Sequence, residues 1–466
     1  MTRTRSTSPR FAWLFDIGST FTKLAVVNLD DVRMRYRAQS PTTVATDVQD
    51  GFFAAVRQVE VSGGPRFADA AFRAASSSAA GGLALVVSGL VARLSAEAGR
   101  IAALGAGAKL VGVRSFVLTI ADVEQLATLK PDIILLAGGT DGGERETLLA
   151  NAEALARWSG CPSVIVAGNR VVAADAAAIL AAAGIAATVV ANILPELDVL
   201  DVEPARAAIR REFLTNIVRA KGIDRVRGHL DSDIVPTPAV VLEAVGFLAG
   251  SRFENGLMVV EVGGATTNVH SFAPDREEGG VVRRGLPEPE LSRTVEGDLG
   301  VRWNADTILE LGRDWLSQQS TDPAALEEWV ARVRTAPSTI PATALEREHD
   351  RLLAAFAAKT AIARHCGRHH TVMLPDGPVT VRDGRDLREI DLLVGTGGSV
   401  IAAESAVLHA ALSGDDPLAL VPSAPELAID NDYLLYAVGL LREPLPEEAE
   451  ALAVDGLSTA INGLAA

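Results

Sequence analysis

FDIGSTFTKL, residues 15–24, places an acid, a glycine, three hydroxyl side chains and a lysine within ten positions near the start of the chain. The apolar residues on either side predict a strand ending at Asp16, a tight turn, and a returning strand from about Phe21. In such a turn the backbone N–H groups of Gly18, Ser19 and Thr20 converge on one point, a concavity able to hold a phosphate. Thr22 and Lys23 open the returning strand. Asp16 is a hard oxygen ligand for magnesium, directly or through its waters, and Lys23 offsets charge on the same phosphates. An ordinary hairpin with exposed polar residues accounts for this stretch, taken by itself, equally well.

Two later stretches change that balance. VVEVGGATTNVHSF, residues 259–272, again carries an apolar strand into a carboxylate, Glu261, then into Gly263 and Gly264, and then into the hydroxyls of Thr266 and Thr267 before a second strand leaves. Two strand, acid, glycine, hydroxyl, strand units in one chain read as two jaws on one polyphosphate. LLVGTGGSVI, residues 392–401, is an apolar strand meeting GTGG and then a helix. Glycines at that junction let a flat ligand or a phosphate approach the backbone at the positive end of the helix. A structural strand-to-helix turn has the same appearance, and it is the order of the three stretches along the chain that gives the third its weight.

The rest of the chain supplies a frame for these turns. Its 466 residues exceed what one core organises, and 48% are hydrophobic while only 5% are aromatic, the balance of a layered α/β protein. Residues 11–17, 21–29 and 31–39 predict three consecutive strands, followed by a helix from about Asp47 to Val59. From about Lys109 to Ala191, short apolar runs alternate with alanine-rich segments, which implies parallel βαβ units in a doubly wound sheet. VPTPAVVLEAVGFLAG predicts a helix with proline at its start, helices follow over 303–333 and 345–364, and DNDYLLYAVGLL predicts another near the C-terminus. The net charge of −16 argues against nucleic-acid binding. Two cysteines without CxxC spacing argue against a disulfide framework and for the cytoplasm. The basic first ten residues lack the apolar core of a signal peptide, and the alanine-rich run from Val171 to Leu194 reads as a helix followed by a strand, not a membrane span. DIILLAGGTDGGE, residues 132–144, belongs by its position to the βαβ region. In RHCGRHH, residues 364–370, a helix end with basic residues explains the pattern better than a metal site.

The three turns in this order resemble the actin, sugar kinase and DnaK-type chaperone superfamily, on Asp16, Gly18, Thr20 and Lys23, then Glu261, Gly263, Gly264, Thr266 and Thr267, then Gly395, Gly397 and Gly398. DIGSTFTKL, SSAAGGL, ALGAGAKLVGV, PDIILLAGGTDGG, RTVEGDLG, VGGATTNVHS and GTGGS, spread from end to end, more closely resemble the glutamate mutase accessory family called MutL or GlmL. The resemblance implies an α/β, actin-like (ribonuclease H-like) two-lobed ATPase fold with an inserted βαβ region. Its expected parts are a disordered tail 1–10, a first lobe begun by 11–105, an insert 106–205, connecting helices 206–249, a second lobe 250–428, and a C-terminal helix 429–466 returning to the first. The implied cofactors are ATP and Mg2+. The nucleotide would be held by Asp16, Gly18, Ser19, Thr20, Thr22 and Lys23, by Gly263, Gly264, Ala265, Thr266 and Thr267, and by Gly395, Thr396, Gly397, Gly398 and Ser399. Asp16 and Glu261 would bind the metal, and Glu261 and Lys23 would act in catalysis.

The implied function is a nucleotide-gated, chaperone-like or reactivating partner of an adenosylcobalamin-dependent mutase, with neither nucleic acid nor membrane as partner. Cobalamin and mutase enter from the resemblance alone. Three positions depart from the pattern. Glu261 stands where aspartate is usual in the superfamily, Asn268 where the close family tends to aspartate, and Val235 where DnaK-type chaperones have a glutamate near the attacking water. Slow hydrolysis is therefore expected. A small-molecule phosphotransferase and a non-catalytic nucleotide-binding scaffold remain as alternatives of the same fold. Glu296 and Asp298 in RTVEGDLG either approach the nucleotide or cap the next helix.

Overall fold

Short turns between apolar runs leave the chain no room for a crossover, so its first three strands form an antiparallel meander. A computed structural model of the chain describes residues 9–18, 21–43, 46–78, 83–217, 222–276, 278–375, 377–414 and 416–453. Ser19 and Thr20, residues 1–8 of the expected tail, 79–82 of SSAAGGL and the end of the helical stretch near Arg219 lie outside them. The chain divides into two compact units, Met1–Val240 with Gly285–Pro287, and Val241–Arg284 with Glu288–Ala466.

In the first unit β1 (Phe11–Ile17), β2 (Phe21–Asn28) and β3 (Arg33–Pro41) make the meander, with α1 (Val48–Val61) packed on it and β4 (Phe72–Ser77) returning parallel to β1. Alternation along β1 sends Trp13, Phe15 and Ile17 to the α1 side, where Phe15 stacks on Phe52 with ring centroids 4.1 Å apart. Asp16 points to the other face. Five further strands, β5 (Ala84–Gly89), β6 (Lys109–Ser115), β7 (Ile133–Leu136), β8 (Ser163–Val166) and β9 (Ala187–Val189), form an all-parallel sheet in the order β6-β5-β7-β8-β9. The helices between them are α2 (Ser95–Gly105), α3 (Ile120–Thr128), α4 (Glu146–Ala156) and α5 (Ala173–Ala182). This sheet takes its second strand from before residue 106, because β5 pairs with both β6 and β7 and not with β4. Val86, Ile134 and Val164 pack under α3, α4 and α5, while Leu85, Val87 and Ile133 share the core of the first sheet. Both faces are covered, which is why these strands read as unbroken apolar runs. Then come α6 (Glu203–Ile217), α7 (Ile223–Arg227) and β10 (Val235–Pro236), which joins β4 and completes the order β10-β4-β1-β2-β3. VPTPAVVLEAVGFLAG forms the expected helix, α8 (Thr237–Arg252), and the boundary between the units falls within it.

The second unit repeats the first sheet. Its strands β11 (Leu257–Val262), β12 (Thr267–Phe272), β13 (Val281–Arg284) and β14 (Leu291–Glu296) are followed by α9 (Ala305–Leu311), α10 (Arg313–Gln319), α11 (Pro323–Thr335) and α12 (Ala344–His365). After these come β15 (Arg368–Leu374), β16 (Gly377–Asp383), β17 (Leu392–Thr396), α13 (Gly398–Ala403), α14 (Ala406–Leu412), β18 (Glu426–Ile429) and α15 (Leu434–Leu441). The main sheet runs β14-β12-β11-β17-β18, and β13-β16-β15 form a small sheet. Numbered along the chain within each sheet, both main sheets have the order third, second, first, fourth, fifth, with three antiparallel strands and two parallel to the first. That repeated ribonuclease H-like sheet, with an α/β region inserted between the fourth and fifth strands of the first copy, is the actin-like fold. Among the described residues no helix is long and apolar enough to cross a membrane.

Candidate functional site

The first turn is closed by the Gly18 N–H, which donates to the Phe21 carbonyl at 3.0 Å. Asp16 and Lys23 are cross-strand partners on β1 and β2, so they share a face, with Nζ 3.5 Å from Oδ2. Asp16 is only 6% exposed and is held by its neighbours. Thr237 donates from Oγ1 to Oδ1 at 2.8 Å, and the Ser76 hydroxyl lies 3.5 Å from the same oxygen. Parallel pairing sets Ser76 beside Asp16 and Val235 beside Ser76, so Val235 presents an apolar side chain on the carboxylate's face. Thr22 does not join this group. It lies opposite Ile17 on the other face, fully buried, with its hydroxyl 2.9 Å from that of Thr42.

In the second unit the 263–266 turn is braced from one side. Its carbonyls accept in order from 301–304: Gly263 from the Val301 N–H at 3.1 Å, Gly264 from those of Arg302 and Trp303 at 2.9 Å, and Ala265 from Asn304 Nδ2 at 2.9 Å. No cis peptide bond occurs among the described residues, and in a trans peptide the N–H points opposite to the preceding carbonyl. The N–H groups of Gly264, Ala265 and Thr266 therefore aim together away from the brace, the arrangement that accepts an anion. Gly300 makes the close approach possible, since a Cβ there would sit 2.3 Å from the Ala265 carbonyl carbon. Arg302 anchors the brace through a two-point pair to the buried Asp350, at 2.6 and 3.2 Å. Thr267 faces the other way, donating to the Leu299 carbonyl at 2.7 Å.

Strand pairing puts Glu261 beside both Asn268 and Thr396. Asn268 Nδ2 donates to Glu261 Oε2 at 3.0 Å, and Arg293 Nη2 donates to Asn268 Oδ1 at 3.2 Å. Burial pushes Arg293 below the usual guanidinium range, and the Glu261 carboxylate pulls it back up. His270, opposite Arg293, is fully buried, and burial together with that cation holds its imidazole neutral far below the usual value. Gly397, at φ +103°, lies so close to β11 that a Cβ would fall 2.2 Å from the Val262 carbonyl oxygen, so the third turn abuts the end of the strand that enters the second. Thr396 and Ser399 are buried there, whereas Gly395 serves packing, its Cα facing Val400, Leu408 and Ile429. Gly398 opens a helix of only six residues, too short to offer much of the dipole expected from the sequence.

Thr237, Ser76, Arg293 and Asn304 escape a reading of the sequence because strand register and a loop remote in sequence bring them in. Thr237 alone had a local signal, the VPTP that opens α8. Glu296 and Asp298 do not cap α9; both are paired with Arg364, at 2.7 and 2.8 Å, and Glu296 lies opposite Thr267 at the exit of the second turn. In RHCGRHH, His365 is occupied by the hydroxyls of Ser271 and Thr294, at 2.8 and 3.0 Å. Carboxylate oxygens suit Mg2+ held through water, and Asp16 and Glu261 each supply one at a strand end beside a glycine turn.

A structure of acetone carboxylase in its nucleotide-free form is 11% identical, covering 93% of this chain and 70% of its own, with a TM-score of 0.38. A ROK family glucokinase from Streptomyces griseus, solved with glucose and AMPPNP, is 10% identical over 96% of this chain and all of its own, with a TM-score of 0.32. The fold assignment rests on strand order and not on these slight likenesses. In sequence, Protein MutL of Clostridium tetanomorphum is 39% identical over 446 residues, 94% of this chain and 96% of that protein. The family model for MutL protein matches residues 12–457, and the chain belongs to that family.

Proposed function

We propose that this protein binds ATP with Mg2+ and acts as an accessory, chaperone-like factor for an adenosylcobalamin-dependent mutase of the glutamate mutase type. The observation that carries the nucleotide half is the repetition: the same five-stranded sheet occurs twice, and in each copy the first strand delivers a carboxylate into a glycine turn. Gly18 with Ser19 and Thr20 would take phosphates in one unit, and Gly264, Ala265 and Thr266 in the other. Thr396, Gly397 and Ser399 would receive the nucleoside. Asp16 and Glu261 would hold the metal through water, and Mg2+ would neutralise charge on the β- and γ-phosphates. Lys23 adds a cation beside Asp16. The mutase half comes from membership of the family.

In this reading one nucleotide engages the phosphate turns of both units, and loss of the γ-phosphate releases them. Moving such an equilibrium from 1:99 to 99:1 needs about 5.5 kcal/mol of preference for one state. Hydrolysis is slow. Val235 offers no oxygen to orient an attacking water, and Glu261 is one methylene longer than aspartate, enough to displace a reacting group by about 1 Å and cost roughly 100-fold. The same Val235 favours the scaffold reading over a phosphotransferase.

Calorimetry with ATP and with ADP, repeated with glutamate mutase present, tests the proposal. Micromolar binding and a mutase affinity that differs between the two nucleotides are expected, with phosphate release slower than about one per minute. Nucleotide binding indifferent to the mutase would leave the scaffold, and rapid phosphorylation of an added metabolite would leave the kinase.

A further inference from the structure

The chain from Arg293 through Asn268 to Glu261 has a fixed polarity. Arginine has only donors, so the amide must present Oδ1 to it, and the 3.2 Å contact is made by that atom. Nδ2 is thereby turned to Glu261, 3.0 Å away, and the carboxylate must accept. All three side chains belong to adjacent strands of one sheet, and Asn268 and Arg293 are 7% and 4% exposed. Without the amide, a buried cation and a carboxylate at this distance would collapse into a direct ion pair. That pair would draw Glu261 away from the 263–266 turn.

We propose that Asn268 is a positioning residue: its amide spaces Arg293 from Glu261 and keeps that carboxylate aimed at the water around a nucleotide-bound Mg2+. This rests on the nucleotide reading of the site. The glutamate is long enough to reach over the amide, and a second acid at 268 would leave no donor between two carboxylates.

The readout is the magnesium gain, the affinity of the full-length protein for ATP in Mg2+ divided by its affinity in EDTA, both from calorimetry. Asn268→Leu keeps the volume and removes the polar atoms. The gain falls about tenfold, the usual range for losing a residue that orients a metal ligand, while the affinity in EDTA changes less than about twofold. Arg293→Met removes the cation to be spaced and leaves the gain unchanged or higher, and the double variant recovers most of what Asn268→Leu lost. A merely structural role would lower the EDTA affinity and the melting temperature and leave the ratio alone. A wild-type gain that survives Asn268→Leu overturns the inference while the nucleotide reading stands. A wild-type affinity indifferent to Mg2+ removes both. Should Asn268→Leu fail to fold, Arg293→Met decides, and a tenfold loss of gain in it counts against the spacer.

Discussion

Individual side chains carry most of what is specific here. The Asp16 carboxylate is buried at a strand end and depends on Thr237 for its 2.8 Å hydrogen bond. Thr237→Val keeps the shape and strips the donor, so it costs about 1–3 kcal/mol, read as a lower urea midpoint, and weakens ATP binding with it. Ser76→Ala, at a 3.5 Å contact, costs less. His270 gives a pH-dependent counterpart. Its folded form stays neutral well below 6.5, whereas the unfolded chain takes up a proton near 6.5, so its contribution to stability is present above that pH and is lost as pH falls. His270→Leu, which also removes two ring nitrogens lacking partners, leaves the melting temperature near that of the wild type at pH 8 and flattens its decline between pH 6.5 and 5. A parallel decline in both proteins would place the acid sensitivity elsewhere.

At the scale of elements, the hairpins and helices were largely legible. The meander, the helix from 47, the βαβ alternation and the long helix from 344 follow from period and breakers, and α12 is closed by a capping box, Thr343 with Glu346. The boundary of the insert was not legible, because an apolar strand such as β5 carries no mark of which sheet it joins. The brace behind the 263–266 turn was equally silent, being built by residues nearly forty positions on. Its anchor is the Arg302–Asp350 pair, with side chains 14% and 5% exposed. Arg302→Met strands the buried carboxylate and costs about 3–5 kcal/mol, seen as an earlier urea transition, and adding Asp350→Leu restores much of that. An unchanged midpoint in the single variant would show that the pair is not what holds the brace.

For the molecule as a whole, the two cysteines offer a check on burial in each unit. Burial pushes the Cys161 thiol up to about 12, and that of Cys366 higher, with Arg385 lowering it and Asp386 raising it. At pH 8 the thiolate of Cys161 is scarcer than that of a free cysteine by on the order of a thousandfold. Reaction with a chromogenic disulfide is correspondingly slow in the folded protein and fast in urea, and a rapid phase in the folded state would contradict the burial. With both native thiols silent, single cysteines introduced into each unit can report whether ATP changes their separation. By itself, the sequence determined the repeated strand, acid and glycine signals, the family, and the two carboxylates, because these depend on neighbours along the chain. Only the tertiary structure decided that Thr22 and Thr267 face away, that Thr237 and Ser76 hold Asp16, and that Arg293 reaches Glu261 through Asn268. Strand register sets which side chains share a face, and one step in register exchanges the faces without altering the sequence at all.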